Sequence, residues 1–216
     1  MTTIRTMALA GAAALAFAGA AQAQSFEPKA AGHVMLNVRA TVVAPSGSDA
    51  LTTLGGAATG LKAKVSDDVM PTIGVSYFFT DNIAVEVIAG TTKHTIRAVG
   101  GTTNVKVKET WVLPPVVSLQ YHFSPQARFS PYVGAGVNYM IFYGGKDRNG
   151  FQFDVKDGWG AALQAGADYA LTGPWSANVD VKKVFFDTRA TDTATGLTSK
   201  VKLDPWVVSA GVGYRF

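Results

Sequence analysis

The sequence predicts an all-β chain closed into an eight-stranded antiparallel transmembrane β-barrel, with short periplasmic turns and long extracellular loops. Three observations predict it. Eight segments alternate apolar with polar or small residues at period two. The connections between those segments alternate short and long, the asymmetry of a barrel crossing an outer membrane. Cysteine is absent and no apolar run beyond the first residues is long enough for a membrane helix. Stability must then come from packing and backbone pairing, and in a bilayer only a closed sheet lets strands pair every N–H and C=O.

Residues 1–23 read as a secretory leader: Arg5 near the start, an apolar run from Met7 to Ala18, and the small-residue end Ala21-Gln22-Ala23, with cleavage before Gln24. The apolar run is too short for a comfortable membrane anchor. Residues 24–216 are then one domain, exported by the general secretory route to the outer membrane of a Gram-negative cell. The formal charge of +4 falls by one with Arg5, a balance too mild to argue for nucleic acid.

The first strand runs from His33 to Val43, with Val34, Leu36, Val38, Ala40 and Val42 outward. The second, Met70 to Phe79, turns at Thr80-Asp81-Asn82 into the third, Ile83 to Thr91, which points Glu86 inward. The fourth, Trp111 to Phe123, puts Val117, Leu119 and Tyr121 outward against Ser118, Gln120 and His122. The fifth, Pro131 to Phe142, follows a short turn at Ser124; the sixth, Trp159 to Leu171, follows the long connection 143–158, and the seventh, Trp175 to Phe186, follows Thr172-Gly173-Pro174. The last, Leu203 to Phe216, ends on an outward aromatic, and Phe216 resembles the terminal signal read by the outer-membrane assembly machinery. Tyr77, Phe79, Tyr121, Phe123, Tyr169, Trp175 and Tyr214 gather near the short turns as an interfacial girdle. The long connections, 44–69, 92–110, 143–158 and 187–202, show no strong secondary-structure pattern. A soluble eight-stranded barrel would need its apolar face inside, but the other face here carries Arg39, Glu86, Asp168, Asp180, Lys182 and Arg215.

The segments Thr80-Asp81-Asn82-Ile83-Ala84-Val85-Glu86, Leu113-Pro114-Pro115, Pro131 to Tyr139, Trp159-Gly160-Ala161-Ala162, and Leu203-Asp204-Pro205-Trp206 running on to Gly213-Tyr214-Arg215-Phe216 resemble the outer membrane protein W (OmpW) family and follow its order. That resemblance implies an eight-stranded barrel with a narrow hydrophobic channel that passes small apolar molecules and releases them sideways into the membrane.

The inward residues, sorted by height, support a channel independently. The periplasmic half collects Glu86, Gln120, His122, Asp168, Asp180 and Arg215, with Arg39 and Lys182 nearer the middle. Opposite charges in so narrow a barrel pair and fill it, making a polar floor. The extracellular half collects Met70, Ile88, Val112, Val116, Met140, Phe142, Val184, Phe186 and Val207, an apolar funnel suited to a hydrophobic ligand or simply to filling the barrel. Pro71, Pro114, Pro115 and Pro205 fall on the outer halves of strands, where the missing N–H opens the ladder and offers a lateral doorway.

No catalytic constellation is expected: His122 and Ser124 stand at the periplasmic end without a third partner. No metal site or cofactor is expected either, since His33 and His94 lack ligand-spaced neighbours. The expected partners are small hydrophobic solutes, outer-membrane lipid and lipopolysaccharide, and the assembly machinery, around a monomer. The alternative is a structural or receptor barrel whose loops bind phage, bacteriocin or host surfaces.

Overall fold

The computed structural model describes residues 25–53, 56–194 and 196–216, so the expected leader at 1–23 lies outside the described residues. Regular structure among them is all β. In chain order the strands are β1 (Val34–Ala44), β2 (Ser48–Thr53), β3 (Ala58–Val65), β4 (Asp68–Phe78), β5 (Ile83–Ala89), β6 (Thr92–Gly100), β7 (Thr103–Leu113), β8 (Val116–His122), β9 (Phe129–Asp147), β10 (Phe153–Val155), β11 (Gly158–Ala170), β12 (Trp175–Phe185), β13 (Asp187–Asp192), β14 (Leu197–Lys202) and β15 (Trp206–Arg215).

Eight of them close a ring. Around it, β1 pairs β4, then β5, β8, β9, β11, β12 and β15 follow, and β15 pairs back to β1, every pair antiparallel. Alternation decides which face meets lipid. Val38, Ile73, Val75, Val87, Val117, Leu119, Val133, Val137, Leu163 and Val212 stand exposed on the outside of the ring. Outward aromatics recur ten residues apart on four stretches: Trp111 and Tyr121, Trp159 and Tyr169, Trp175 and Phe185, Trp206 and Phe216. Ten residues of a strand tilted by ~40° climb about 26 Å, the height of the apolar band of an outer-membrane barrel. Both girdles are thereby placed.

The long connections are not irregular. Residues 44–69 contain β2 and β3, 92–110 most of the β6–β7 hairpin, 143–158 the upper end of β9 and β10, and 187–202 β13 and β14. These strands pair in the order β10–β13–β14–β2–β3–β6–β7–β9 and raise the wall above the membrane. Their pattern is inverted relative to the strands below. Leu51, Ala63, Ala98, Val107, Phe153, Ala190 and Val201 form a buried cluster inside, while Lys62, Lys64, Lys106, Arg189 and Lys200 stand outside. The physical reason is the solvent: lipid surrounds the lower wall and water the upper one, so the same period-two strand reverses the face it keeps apolar.

The fourth strand of the sequence reading is divided. Trp111 to Leu113 belong to β7, Val116 to His122 to β8, and Pro114-Pro115 separate them. The register is continuous across the break, since Leu113 opposes Ile141 and Val116 opposes Asn138 on β9. Likewise Leu203 to Pro205 precede β15 instead of opening it.

Two inward glycines mark where the wall comes close to itself. A Cβ on Gly211 would lie 2.0 Å from the Val38 carbonyl oxygen, and one on Gly136 2.1 Å from that of Val117. Both are approaches of neighbouring backbone, which no side-chain rearrangement relieves.

Candidate functional site

The interior has three levels. At the top, Leu51, Ala63, Val107, Phe153, Ala190 and Val201 from the raised strands surround a cavity of about 60 Å³ that reaches down to Met140 and Phe142. A second void of about 40 Å³ lies within the membrane-spanning ring, lined by Met70, Ile88, Val116, Met140, Val184 and Val207, among others. Val43, Pro114, Met140 and Pro205 border both, so they form the neck between them. Ile88, Val112, Val116, Met140, Ala162, Val184 and Phe186 make one buried cluster, with Phe142, Leu203 and Val207 packed against it.

The structure thus brings all nine proposed lining residues to these levels. Sequence reasoning does not reach the upper cluster, because its strands carry no lipid-facing apolar alternation. Once the 92–110 and 187–202 segments are read at period two, Ala98, Val107, Ala190 and Val201 become visible.

His94 lines the upper cavity from β6, and its Nδ1 lies 2.7 Å from the Ser66 carbonyl oxygen. Burial lowers its pKa from the usual 6.5, against the opposing pull of that carbonyl, Asp68 and Asp67. A folded pKa below the unfolded one means that, as pH falls through 6.5, the unfolded chain takes up a proton that the folded one resists. Acid should therefore loosen the β3–β6 contact. Amide exchange at Thr95 and Ser66, whose N–H groups bond to each other's residues across this seam, should quicken between pH 7 and pH 5 by direct comparison of protection at matched chemical exchange rates, and His94→Gln should abolish the difference.

The floor is a continuous charged network. Glu86 on β5 accepts the Arg39 guanidinium at 2.7 Å and, on its other oxygen, Lys182 Nζ at 3.1 Å and Gln164 at 3.0 Å. Asp180 receives Lys182 at 2.6 Å, Gln164 at 2.9 Å and the Tyr132 hydroxyl at 2.8 Å. Arg39 Nε also donates to Asn178, whose amide donates to Asp168 at 2.7 Å. Gln120 and His122 pair at 3.1 Å toward the periplasmic end. Arg215 is buried at the same end, but its Nε and one terminal nitrogen find no hydrogen-bond partner among the described residues.

The residue that completes the floor lies outside every strand. Lys29, 1% exposed, reaches from the N-terminal segment to Asp168 at 2.6 Å, His122 at 2.7 Å and Ser130 at 2.9 Å. Its backbone is tied to the short turns, Lys29 N–H to the Pro125 carbonyl and Glu27 N–H to that of Gly173. Periodicity could not find it, because a residue before the first strand has no face to be assigned to.

The prolines do not form one doorway. The β4–β5 ladder stops at Ile73 opposite Ala89, and its register carried on would set Thr72 against Gly90 and Pro71 against Thr91. The β5–β8 and β6–β7 ladders share a register that sets Gly90 against Pro114 and Ala89 against Pro115. Pro71, Pro114 and Pro115 therefore surround Gly90, and Ala89 and Gly90 also line the lower void. Pro205 does not belong to this group. It is buried, the β1–β15 register carried one step past Ala44 and Trp206 sets it against Pro45, and the seam is stitched above it by Ser46 N–H to the Leu203 carbonyl and beside it by Val184 N–H to its own carbonyl.

Phe216 is exposed beside Tyr214, with ring centroids 4.7 Å apart. No cluster of three or more His, Cys, Asp or Glu that could hold a metal occurs among the described residues.

The OmpW family model matches residues 30–216. The outer-membrane protein y4mB of Sinorhizobium fredii is 47% identical over 161 residues, 73% of this chain and 70% of that protein. The dibenzothiophene metabolism operon protein PahQ of Pseudomonas aeruginosa is 30% identical over 162 residues, 73% of this chain and 76% of that protein. The crystal structure of OprG, an outer membrane protein of Pseudomonas aeruginosa, superposes with a TM-score of 0.83 at 28% identity, covering 89% of this chain and 99% of that one. With its closed eight-stranded ring, its lipid-facing band and this match over nearly the whole chain, the protein belongs to the OmpW family of outer-membrane β-barrels.

Proposed function

We propose that this barrel admits small hydrophobic solutes from outside the cell and releases them laterally into the outer membrane. The observation that carries the reading is the vertical order of the interior: two apolar voids in series above a floor of paired charges. An apolar solute is favoured in the first and excluded by the second, since the floor offers no space and moving it would break buried ion pairs. What remains is the wall at Gly90, where the lower void meets an interrupted ladder. The name of PahQ, which ties that relative to dibenzothiophene metabolism, supports an apolar cargo.

The voids are small, so a solute passes by displacing side chains at the neck. Met140 is suited to this, being unbranched and flexible. Met140→Asp puts a carboxylate in the neck and should cut uptake of a labelled hydrophobic solute into proteoliposomes at least ten-fold, with the folded band on an unheated gel unchanged. Exit can be tested separately because the chain has no cysteine. Pro71→Cys with Thr91→Cys, opposite each other by register, should form a disulfide that lowers uptake when oxidised and restores it when reduced. Uptake indifferent to Met140→Asp removes the channel; uptake indifferent to a formed disulfide removes the lateral exit alone.

A further inference from the structure

The outer face of the raised wall carries a cationic cluster that the channel does not use. Lys64 on β3 is in register with Arg97 on β6, and Arg97 with Lys106 on β7, so three cations stand side by side across three neighbouring strands on the face turned away from the cavity. Like charges directly opposite on a sheet are destabilising. Lys93 and Arg148 join them, both about half exposed.

One carboxylate serves this group. Glu109 lies 2.9 Å from Arg148, 3.7 Å from Lys106 and 4.0 Å from Lys93. Asp147 and Asp68 at the margins are engaged by Lys108 and by the Lys93 amide, and Asp67 stands in the β3–β4 turn. The face is therefore short of negative charge.

Its height says which anion it meets. Lys93 and Trp111 are cross-strand partners, Trp111 opposes Tyr143, and the Lys93 ammonium sits 5.8 Å from the Trp111 ring centroid. Trp111 and Tyr143 are exposed and belong to the upper aromatic girdle. The Lys64, Arg97 and Lys106 row lies about 10 Å higher by strand rise and tilt. Long side chains reach down from there into the headgroup layer.

We propose that this face binds the phosphorylated, acylated glycolipid of the outer leaflet, lipopolysaccharide, with its phosphates on Lys64, Arg97 and Lys106 and its acyl chains against Trp111 and Tyr143. Arg97 suits the role further. Asn104 accepts from its Nε and one terminal nitrogen, which fixes the guanidinium plane and leaves the other terminal nitrogen for a phosphate oxygen.

The test titrates the full barrel, in detergent micelles, with fluorescent deep-rough lipopolysaccharide. The Lys64→Ser/Arg97→Ser/Lys106→Ser variant should bind about a hundred-fold more weakly, at about five-fold per cation. Removing the same charge from the opposite wall, by Lys156→Ser/Arg189→Ser/Lys200→Ser, should change little. Dephosphorylated glycolipid should bind the parent as weakly as lipopolysaccharide binds the first variant, and millimolar inorganic phosphate should not displace the glycolipid. Unchanged binding by the first variant overturns the site, provided its unheated gel mobility shows it folded. Equal loss in the second variant reduces it to bulk charge. Equal binding of dephosphorylated glycolipid, or displacement by phosphate alone, removes the glycolipid as its ligand.

Discussion

Glu86→Leu should destabilise the barrel by about 3–5 kcal/mol, the cost of stranding a buried charge by removing its partner. Glu86 joins Arg39 to Lys182, and all three side chains are about 1% exposed. Without it, Arg39 keeps among the described residues only the neutral Asn178 as a hydrogen-bonded partner, and one of its terminal nitrogens already lacks any there. Lys182 keeps Asp180, so the main loss falls on Arg39. The same argument predicts recovery. In Glu86→Leu/Arg39→Leu both partners are replaced by apolar groups, and most of the loss should return, because a buried ion pair contributes little beyond an apolar pair of similar volume. Urea titrations followed by tryptophan fluorescence in micelles, on the two single variants and the double, give the coupling energy directly. Additive losses would show that the pair acts as two independent residues.

Lys29→Met should both destabilise the barrel, by about 3 kcal/mol, and raise its ionic conductance. Asp168 would lose the Lys29 ammonium, its cationic hydrogen-bond partner among the described residues, and keep the neutral Asn178. The N-terminal segment would also lose the side chain that draws it under the ring, leaving contacts at the turns: backbone bonds to Pro125, Gly173 and Phe78, the Ala31 N–H on Asp81, the Gln126 amide on the Lys29 carbonyl and Arg128 over Phe26. Water then reaches the floor from the periplasmic side. Planar-bilayer recordings should show larger single-channel currents than the parent, and Lys29→Met/Asp168→Asn should regain stability without regaining closure. A variant that is less stable but no more conductive would make Lys29 a structural residue only.

Much of the architecture was legible because a membrane strand has a rigid code. Side chains alternate, lipid demands one apolar face, and the turns at Thr80, Ser124 and Thr172 divide the chain at regular intervals. Trp159 to Leu171 therefore identified β11 to within a residue at each end. The inward residues followed from parity alone: Glu86, Gln164, Asp168 and Asp180 are buried where alternation puts them. The raised strands escape the same reading because their apolar face points inward, away from water, the reverse of the strands below, and because they are short and mix alanine and threonine with the larger apolar residues.

The sequence by itself determined the eight membrane strands, their facing and polarity, and the division of the interior into apolar and charged halves, since each depends on a residue's own parity and height. Partners across the ring were decided only by the tertiary structure. Arg39 meets Glu86 through the β1–β4–β5 registers, Lys29 meets Asp168 from 139 residues away, and Pro71, Gly90, Pro114 and Pro115 converge on one gap while Pro205 does not. Closure is the reason: bringing strands together around a ring sets contacts by shear and register, which no single strand encodes.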